Sequence, residues 1–66
     1  MSLGRNIAKL RTERGLTQRE LAKHSGISES YLRRIETEHY SVPIKTLTRI
    51  AVALGVSLNE IFKYRD

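Results

Sequence analysis

The fold is decided by residues 16–36, which read LTQRELAKHSGISESYLRRIE. Thr17 and Glu20 form a capping-box pattern, in which the hydroxyl and the carboxylate each accept one backbone N–H at the start of a helix. Gly26 can take the positive φ of a sharp turn, and Ser28 offers the N-cap of a following helix. The stretch therefore predicts two short helices joined by a turn of about three or four residues, which is a helix-turn-helix over residues 17–37.

Apolar residues recur at helical spacing on both sides of this stretch and predict three further helices. Gly15 and Gly55 are expected stops, Pro43 suits the first turn of the fourth helix, and Ser57 caps the fifth. No segment alternates as a strand does, so we expect an all-α chain forming a compact five-helix domain over residues 1–66. The polar residues 38–42 predict its one sizeable loop. The apolar positions expected to face inward on the three flanking helices are Leu3, Ile7, Leu10, Ile44, Leu47, Ile50, Ala51, Leu54 and Leu58.

The composition favours a polyanionic partner. Twelve Lys and Arg against seven Asp and Glu give the 66-residue chain a formal charge of +5, which is typical of nucleic-acid binding. The absence of Cys excludes disulfides and a zinc finger. His24 and His39 are isolated, so we expect no catalytic site, no metal and no cofactor. The sequence has neither a signal-peptide pattern nor an apolar run of about 18 residues, so we expect no membrane association and a place in the cytoplasm, at the nucleoid.

Residues 16–22 and 25–36 resemble the helix-turn-helix of the Cro/C1-type (XRE) family of phage and bacterial regulators, and the resemblance continues through residues 44–47 and 53–58. It implies a compact lambda-repressor-like domain that regulates transcription by binding a palindromic operator in double-stranded DNA as a homodimer. The recognition helix, at about residues 28–37, is then expected in the major groove. The short chain is also similar to the controller proteins of restriction-modification systems, and we expect no small-molecule effector.

Carried onto this sequence, the resemblance implies DNA contacts around the turn. Arg33 and Arg34 are the strongest candidates for reading bases, because a guanidinium can donate to O6 and N7 of guanine together. Gln18 corresponds to a contact with the DNA backbone beside a helix N-terminus that favours phosphate, although a merely solvated residue would look the same. The full set of expected DNA-binding residues is Gln18, Ser28, Glu29, Ser30, Tyr31, Arg33, Arg34 and Thr37.

Three of these residues have alternative roles that the sequence leaves open. Glu29 can accept a hydrogen bond from N4 of cytosine, orient Arg33 at the i,i+4 spacing, or simply stabilise the start of its helix. Ser28 can cap the helix, bind a phosphate, or do both. The ring of Tyr31 can pack inward while its hydroxyl reaches the DNA backbone.

The resemblance also implies a structural pair of charges. Arg11 and Glu36 match positions that form an ion pair beneath the binding surface in the family, and leaving either partner alone in a half-buried site would be costly.

In the loop, Glu38 is unfavourable against DNA, and Tyr40, Ser41 and Lys45 are the remaining candidates for phosphate contacts. The cations expected only on a solvated face are Arg5, Lys9, Arg14 and Lys63.

The fifth helix supplies the expected dimer interface. Ile61 and Phe62 can present apolar area to a two-fold mate if Leu58 fills the core, or they can complete the monomer's own core, and in so small a protein we expect both. The alternative function is an antitoxin or adaptor that acts mainly through protein contacts, and an enzyme is the poorest fit to the sequence.

Overall fold

A computed structural model describes residues 3–37 and 41–63, and these residues fold into five helices with no strand among them. The predicted all-α fold class is confirmed. The part of the chain described measures 25 × 24 × 19 Å along its principal axes. The helices are α1 (Leu3–Glu13), α2 (Gln18–Ser25), α3 (Glu29–Thr37), α4 (Ile44–Leu54) and α5 (Leu58–Lys63).

Local sequence signals form the helix-turn-helix as predicted. The hydroxyl of Thr17 accepts the backbone N–H of Glu20 at 3.0 Å, and the carboxylate of Glu20 accepts the N–H of Thr17 at 2.9 Å. At the other end of α2, Gly26 has φ +71°, a conformation that costs little only without a Cβ. The hydroxyl of Ser28 then accepts the N–H of Tyr31 at 3.0 Å and caps α3. These caps fix where α2 ends and where α3 begins.

The start of α4 differs from the prediction. Pro43 precedes the helix as its N-cap residue instead of lying in its first turn, and it offers no side-chain cap. Ile44, predicted to face inward, is 60% exposed because the buried stripe of α4 begins only at Leu47. In the predicted loop, residues 41–43 are not helical, and residues 38–40 lie outside the described residues.

The core lies where all five helices meet. Helix α1 packs against α3 and α5, α2 packs against α3 and α4, and α4 packs against α5. Half-buried apolar residues, among them Tyr31, Ile27 and Leu58, surround the core. The buried core residues are Ile7, Leu10, Leu21, Ala22, Leu32, Ile35, Leu47, Ile50, Ala51, Leu54 and Ile61.

Helix α5 corrects the prediction of the dimer interface. The side chain of Ile61 is 0% exposed, so it completes the core and offers no area to a second copy. Phe62 follows about 100° further round the helix and is 50% exposed. The two neighbouring apolar residues therefore have different roles, because only one of them can face α1 and α4.

Polar contacts that the sequence did not suggest hold α1 in place. The amide of Asn6, itself buried, donates to the carbonyl oxygen of Ile61 at 2.7 Å. Arg14, predicted only as a solvated charge, donates from Nε to the carbonyl oxygen of Leu54 at 2.6 Å, at the end of α4. The Asn6 bond ties α1 to α5, and the Arg14 bond ties the residue just after α1 to the end of α4; together they position the helix on which α3 rests.

No helix within residues 3–37 or 41–63 has the length and apolar character needed to cross a membrane. The same residues contain no cluster of three or more His, Asp or Glu able to hold a metal ion.

Candidate nucleic-acid interface

The outer side of α3 is polar and open to solvent. Leu32 and Ile35 anchor the helix in the core. A helix turns about 100° per residue, so the exposed residues of α3 share one surface, and Glu29 lies at the N-terminal edge of that surface. We call this surface the reading face; its residues are Glu29, Ser30, Arg33, Arg34 and Thr37.

The charges of the reading face are mostly positive and lie at the surface. The side chains of Arg33 and Glu29 are 57% and 43% exposed, and Nη2 of Arg33 lies 3.4 Å from Oε2 of Glu29. An exposed pair of this kind contributes at most about 1 kcal/mol, so Arg33 can exchange Glu29 for a stronger acceptor. The geometry agrees with Glu29 orienting Arg33, one of the three roles left open by the sequence.

The hydroxyl groups around the reading face are partly used within the helix. Ser28 accepts the cap hydrogen bond and keeps its own hydrogen for another acceptor. Thr37 donates its hydroxyl hydrogen to the carbonyl oxygen of Arg33 at 2.8 Å. Ser30 is exposed, and the ring of Tyr31 is half-buried against the core. Ser28 and Ser30 are thus better placed than Thr37 to donate to a ligand.

The buried carboxylate of Glu36, at the end of α3, is bound by Arg11 of α1. The ion pair expected between Arg11 and Glu36 is present, with Nε of Arg11 2.8 Å from Oε2 and Nη2 3.1 Å from Oε1. The side chain of Glu36 is 4% exposed and that of Arg11 17%. Nη1 of Arg11 also donates to the carbonyl oxygen of Leu16 at 2.8 Å, in the turn before α2.

Gln18 takes part in this network, which the sequence did not suggest. Its Nε2 donates to Oε1 of Glu36 at 2.9 Å, and the residue is half-buried at the start of α2. An amide and a carboxylate 18 positions apart on different helices leave no local pattern, so only the packing of α2 on α3 could reveal the contact.

The charge at the start of α2 is fixed by the capping box. Hydrogen bonds from the backbone N–H and the hydroxyl of Thr17 hold the pKa of the Glu20 carboxyl below its ordinary value, and the nearby His24 acts in the same direction. Glu20 therefore stays ionised at neutral pH. Arg19 and Lys23, both exposed on α2, carry the opposite charge beside it.

The remaining predicted site residues lie elsewhere. Phe62 is carried by α5, which packs against α1 and α4, whereas α3 packs against α1 and α2. A dimer contact through Phe62 therefore leaves the reading face uncovered. Ser41 and Lys45 are exposed at the start of α4, and Tyr40 lies outside the described residues.

Comparison with known proteins agrees with this geometry. A family model described as helix-turn-helix matches residues 7–61. The chain is 41% identical over 61 residues to the immunity repressor protein of Bacillus phage phi105, which is 92% of this chain but only 42% of the repressor. The chain thus spans less than half the length of that relative.

Two solved structures share the fold over nearly the whole chain. The restriction-modification controller protein C.AhdI from Aeromonas hydrophila is 33% identical with a TM-score of 0.87, and the match covers 91% of each chain. SinR, the master regulator for biofilm formation, in a crystal structure with DNA, is 32% identical with a TM-score of 0.84 over 92% of this chain and 98% of that one.

These proteins are regulators of transcription and not enzymes. The family model spans the segment from α1 to α5, including the capping box, the Gly26 turn and the reading face. This chain therefore belongs to the Cro/C1-type (XRE) helix-turn-helix family of DNA-binding transcriptional regulators.

Proposed function

We propose that this chain binds a palindromic operator in double-stranded DNA as a homodimer and thereby represses or controls transcription, with α3 in the major groove. The observation that carries the proposal is the reading face, where two arginines and Ser30 lie exposed on a helix anchored by Leu32 and Ile35. A groove about 12 Å wide admits one such helix. SinR, which has the same fold, was solved in complex with DNA, and this supports DNA as the partner.

Each part of the surface has a distinct task in this proposal. Arg33 and Arg34 read guanine through two hydrogen bonds each, and Glu29 orients Arg33 or accepts from N4 of a neighbouring cytosine. Ser30 and Thr37 border the bases. Gln18, Ser28 and Tyr31 lie at the rim, where contacts to phosphate set the register of the helix on the duplex.

The homodimer rests on Phe62 and not on Ile61. A phenylalanine side chain offers on the order of 150–250 Å², and half of Phe62 is already covered. A stable interface needs about 1,000 Å² or more. Two copies joined mainly around Phe62 therefore associate weakly in solution, and we propose that the two half-sites of the operator bring them together.

Binding to selected and random duplexes tests the proposal. Selection from random DNA should return a palindrome, and Arg33→Ala or Arg34→Ala should weaken binding to it by roughly 1–3 kcal/mol, with a smaller loss on random DNA. Lys63→Ala removes one positive charge from the exposed surface of α5 and serves as the matched control, with little loss on either DNA. A wild-type chain that binds no duplex even at low salt contradicts the proposal.

A further inference from the structure

The carboxylate of Glu36 is almost fully enclosed, yet it is surrounded by donors. Oε2 accepts from Nε of Arg11 at 2.8 Å, and Oε1 accepts from Nη2 of Arg11 at 3.1 Å and from Nε2 of Gln18 at 2.9 Å. A buried charge is tolerated only when its lone pairs are satisfied in this way. Gln18 thus completes the shell of an ion that has 4% of its surface left for water.

The amide of Gln18 points at the carboxylate of Glu36, so it is poorly placed to bind a phosphate. The donating nitrogen lies 2.9 Å from a carboxylate oxygen, so a phosphate approaching the same nitrogen would meet a second anion at close range. Arg11 offsets much of the charge of Glu36, but three of its five N–H donors are already directed at Glu36 and at the Leu16 carbonyl.

The backbone at the start of α2 is less occupied than the side chain. The capping box uses the N–H groups of Thr17 and Glu20, and the N–H of Leu21 donates to the carbonyl oxygen of Thr17. Within the described residues, the first-turn N–H groups that remain for a ligand are those of Gln18 and Arg19.

We propose that the side chain of Gln18 is a positioning residue for DNA binding. Through Glu36 it fixes the first turn of α2 against the recognition helix α3, and the DNA-backbone contact assigned to Gln18 falls to the main chain. This inference rests on the proposed function. Without the amide, Glu36 keeps only its hydrogen bonds with Arg11. The first turn of α2 is then free to shift relative to the reading face.

The substitution Gln18→Met tests this role, because it keeps the length of the side chain and removes the amide. Asn59→Met is the matched control, since Asn59 is an exposed amide in the first turn of α5, which also follows a capping box. Thermal unfolding and Kd for the selected operator and for random duplex are measured for each variant at several salt concentrations, below the Tm. Gln18→Ala provides a second, smaller replacement.

For Gln18→Met we expect the Tm to fall by roughly 5–10 °C. We also expect Kd to rise about 3- to 10-fold on both duplexes while the slope of log K against log salt stays unchanged, because no phosphate contact is lost. The control should match the wild type in all three readouts.

Two results overturn the inference while the wild type still binds DNA. A salt slope reduced by about 0.9 with an unchanged Tm makes the amide itself a phosphate ligand. A lowered Tm with unchanged Kd makes Gln18 a stabilising residue with no part in binding. A wild-type chain that binds no duplex overturns the proposed function and this inference with it.

Discussion

The substitution Gly4→Ala has two opposing effects on stability: alanine favours the helix more than glycine does, but its Cβ overlaps the neighbouring helix. Gly4 lies in α1, directly against the backbone of α3. A Cβ at this position would overlap the carbonyl oxygen of Ile35 and would lie 3.0 Å from the carbonyl carbon of Ile35 and 3.1 Å from Cα of Glu36. All three are backbone atoms, so no change of rotamer relieves the overlap and one helix has to move.

The two opposing terms can be estimated. Alanine is favoured over glycine within a helix by at most about 1 kcal/mol. Forcing one extra carbon into a packed site costs about 1–3 kcal/mol, and the upper part of that range applies where backbone must shift. The expected net loss is therefore about 1–2 kcal/mol from a total stability of roughly 3–10 kcal/mol for 66 residues. A domain of this size loses about 4–8 °C of Tm per kcal/mol, so we expect the Tm to fall by roughly 5–15 °C.

Thermal unfolding followed by circular dichroism measures the effect. Ala8→Gly on the same helix is the companion variant, because propensity alone predicts a loss of about 0.5–1 kcal/mol there and a gain at Gly4. Since Ile35 and Glu36 belong to the recognition helix, Gly4→Ala should also weaken binding to the operator. A Tm equal to or above that of the wild type would refute the close packing of α1 on α3.

Three further outcomes follow from the buried polar contacts and the capping box. Arg11→Ala leaves the enclosed carboxylate of Glu36 without its cation and should cost about 3 kcal/mol or more; an unchanged Tm would count against the ion pair. Asn6→Ala removes the side-chain donor to the carbonyl of Ile61, should cost about 1–3 kcal/mol, and should speed amide hydrogen exchange in α5; unaltered exchange would contradict the bond. Because folding lowers the pKa of Glu20, its contribution is present above the ordinary glutamate pKa and is lost as the pH falls through the lowered value. The Tm difference between wild type and Glu20→Gln should therefore shrink on acidification. A Tm difference that does not change with pH would argue against a lowered pKa of Glu20.

The sequence predicts this fold well where the signal is local. A capping box occupies four consecutive residues, and a glycine stop needs only its own φ, so the beginning and end of α2 follow from residues 17–26 alone. Helical spacing identifies most of the core for the same reason. The ion pair of Arg11 with Glu36 was expected only through the resemblance to a family, since no rule of spacing joins two residues on separate helices.

The sequence misleads where burial depends on a neighbouring helix. Ile61 and Phe62 are adjacent and both apolar, and only the placement of α1 and α4 decides that Ile61 is enclosed and Phe62 is not. Ile44 fits the helical spacing but lies beyond the buried stripe of α4. The partners of Gln18, Arg14 and Asn6 are fixed by tertiary packing alone.

The bond between Asn6 and Ile61 has a consequence for how the chain is made. It joins residues 55 positions apart, and closing a loop of that length costs about 3.5 kcal/mol of chain entropy. During translation the helix-turn-helix segment emerges before α5, so the amide of Asn6 lacks its acceptor and the core lacks Ile61 until α5 has left the ribosome. A chain cut before α5 therefore carries the complete helix-turn-helix sequence but lacks the hydrogen bond and the core residue that hold α1 in place.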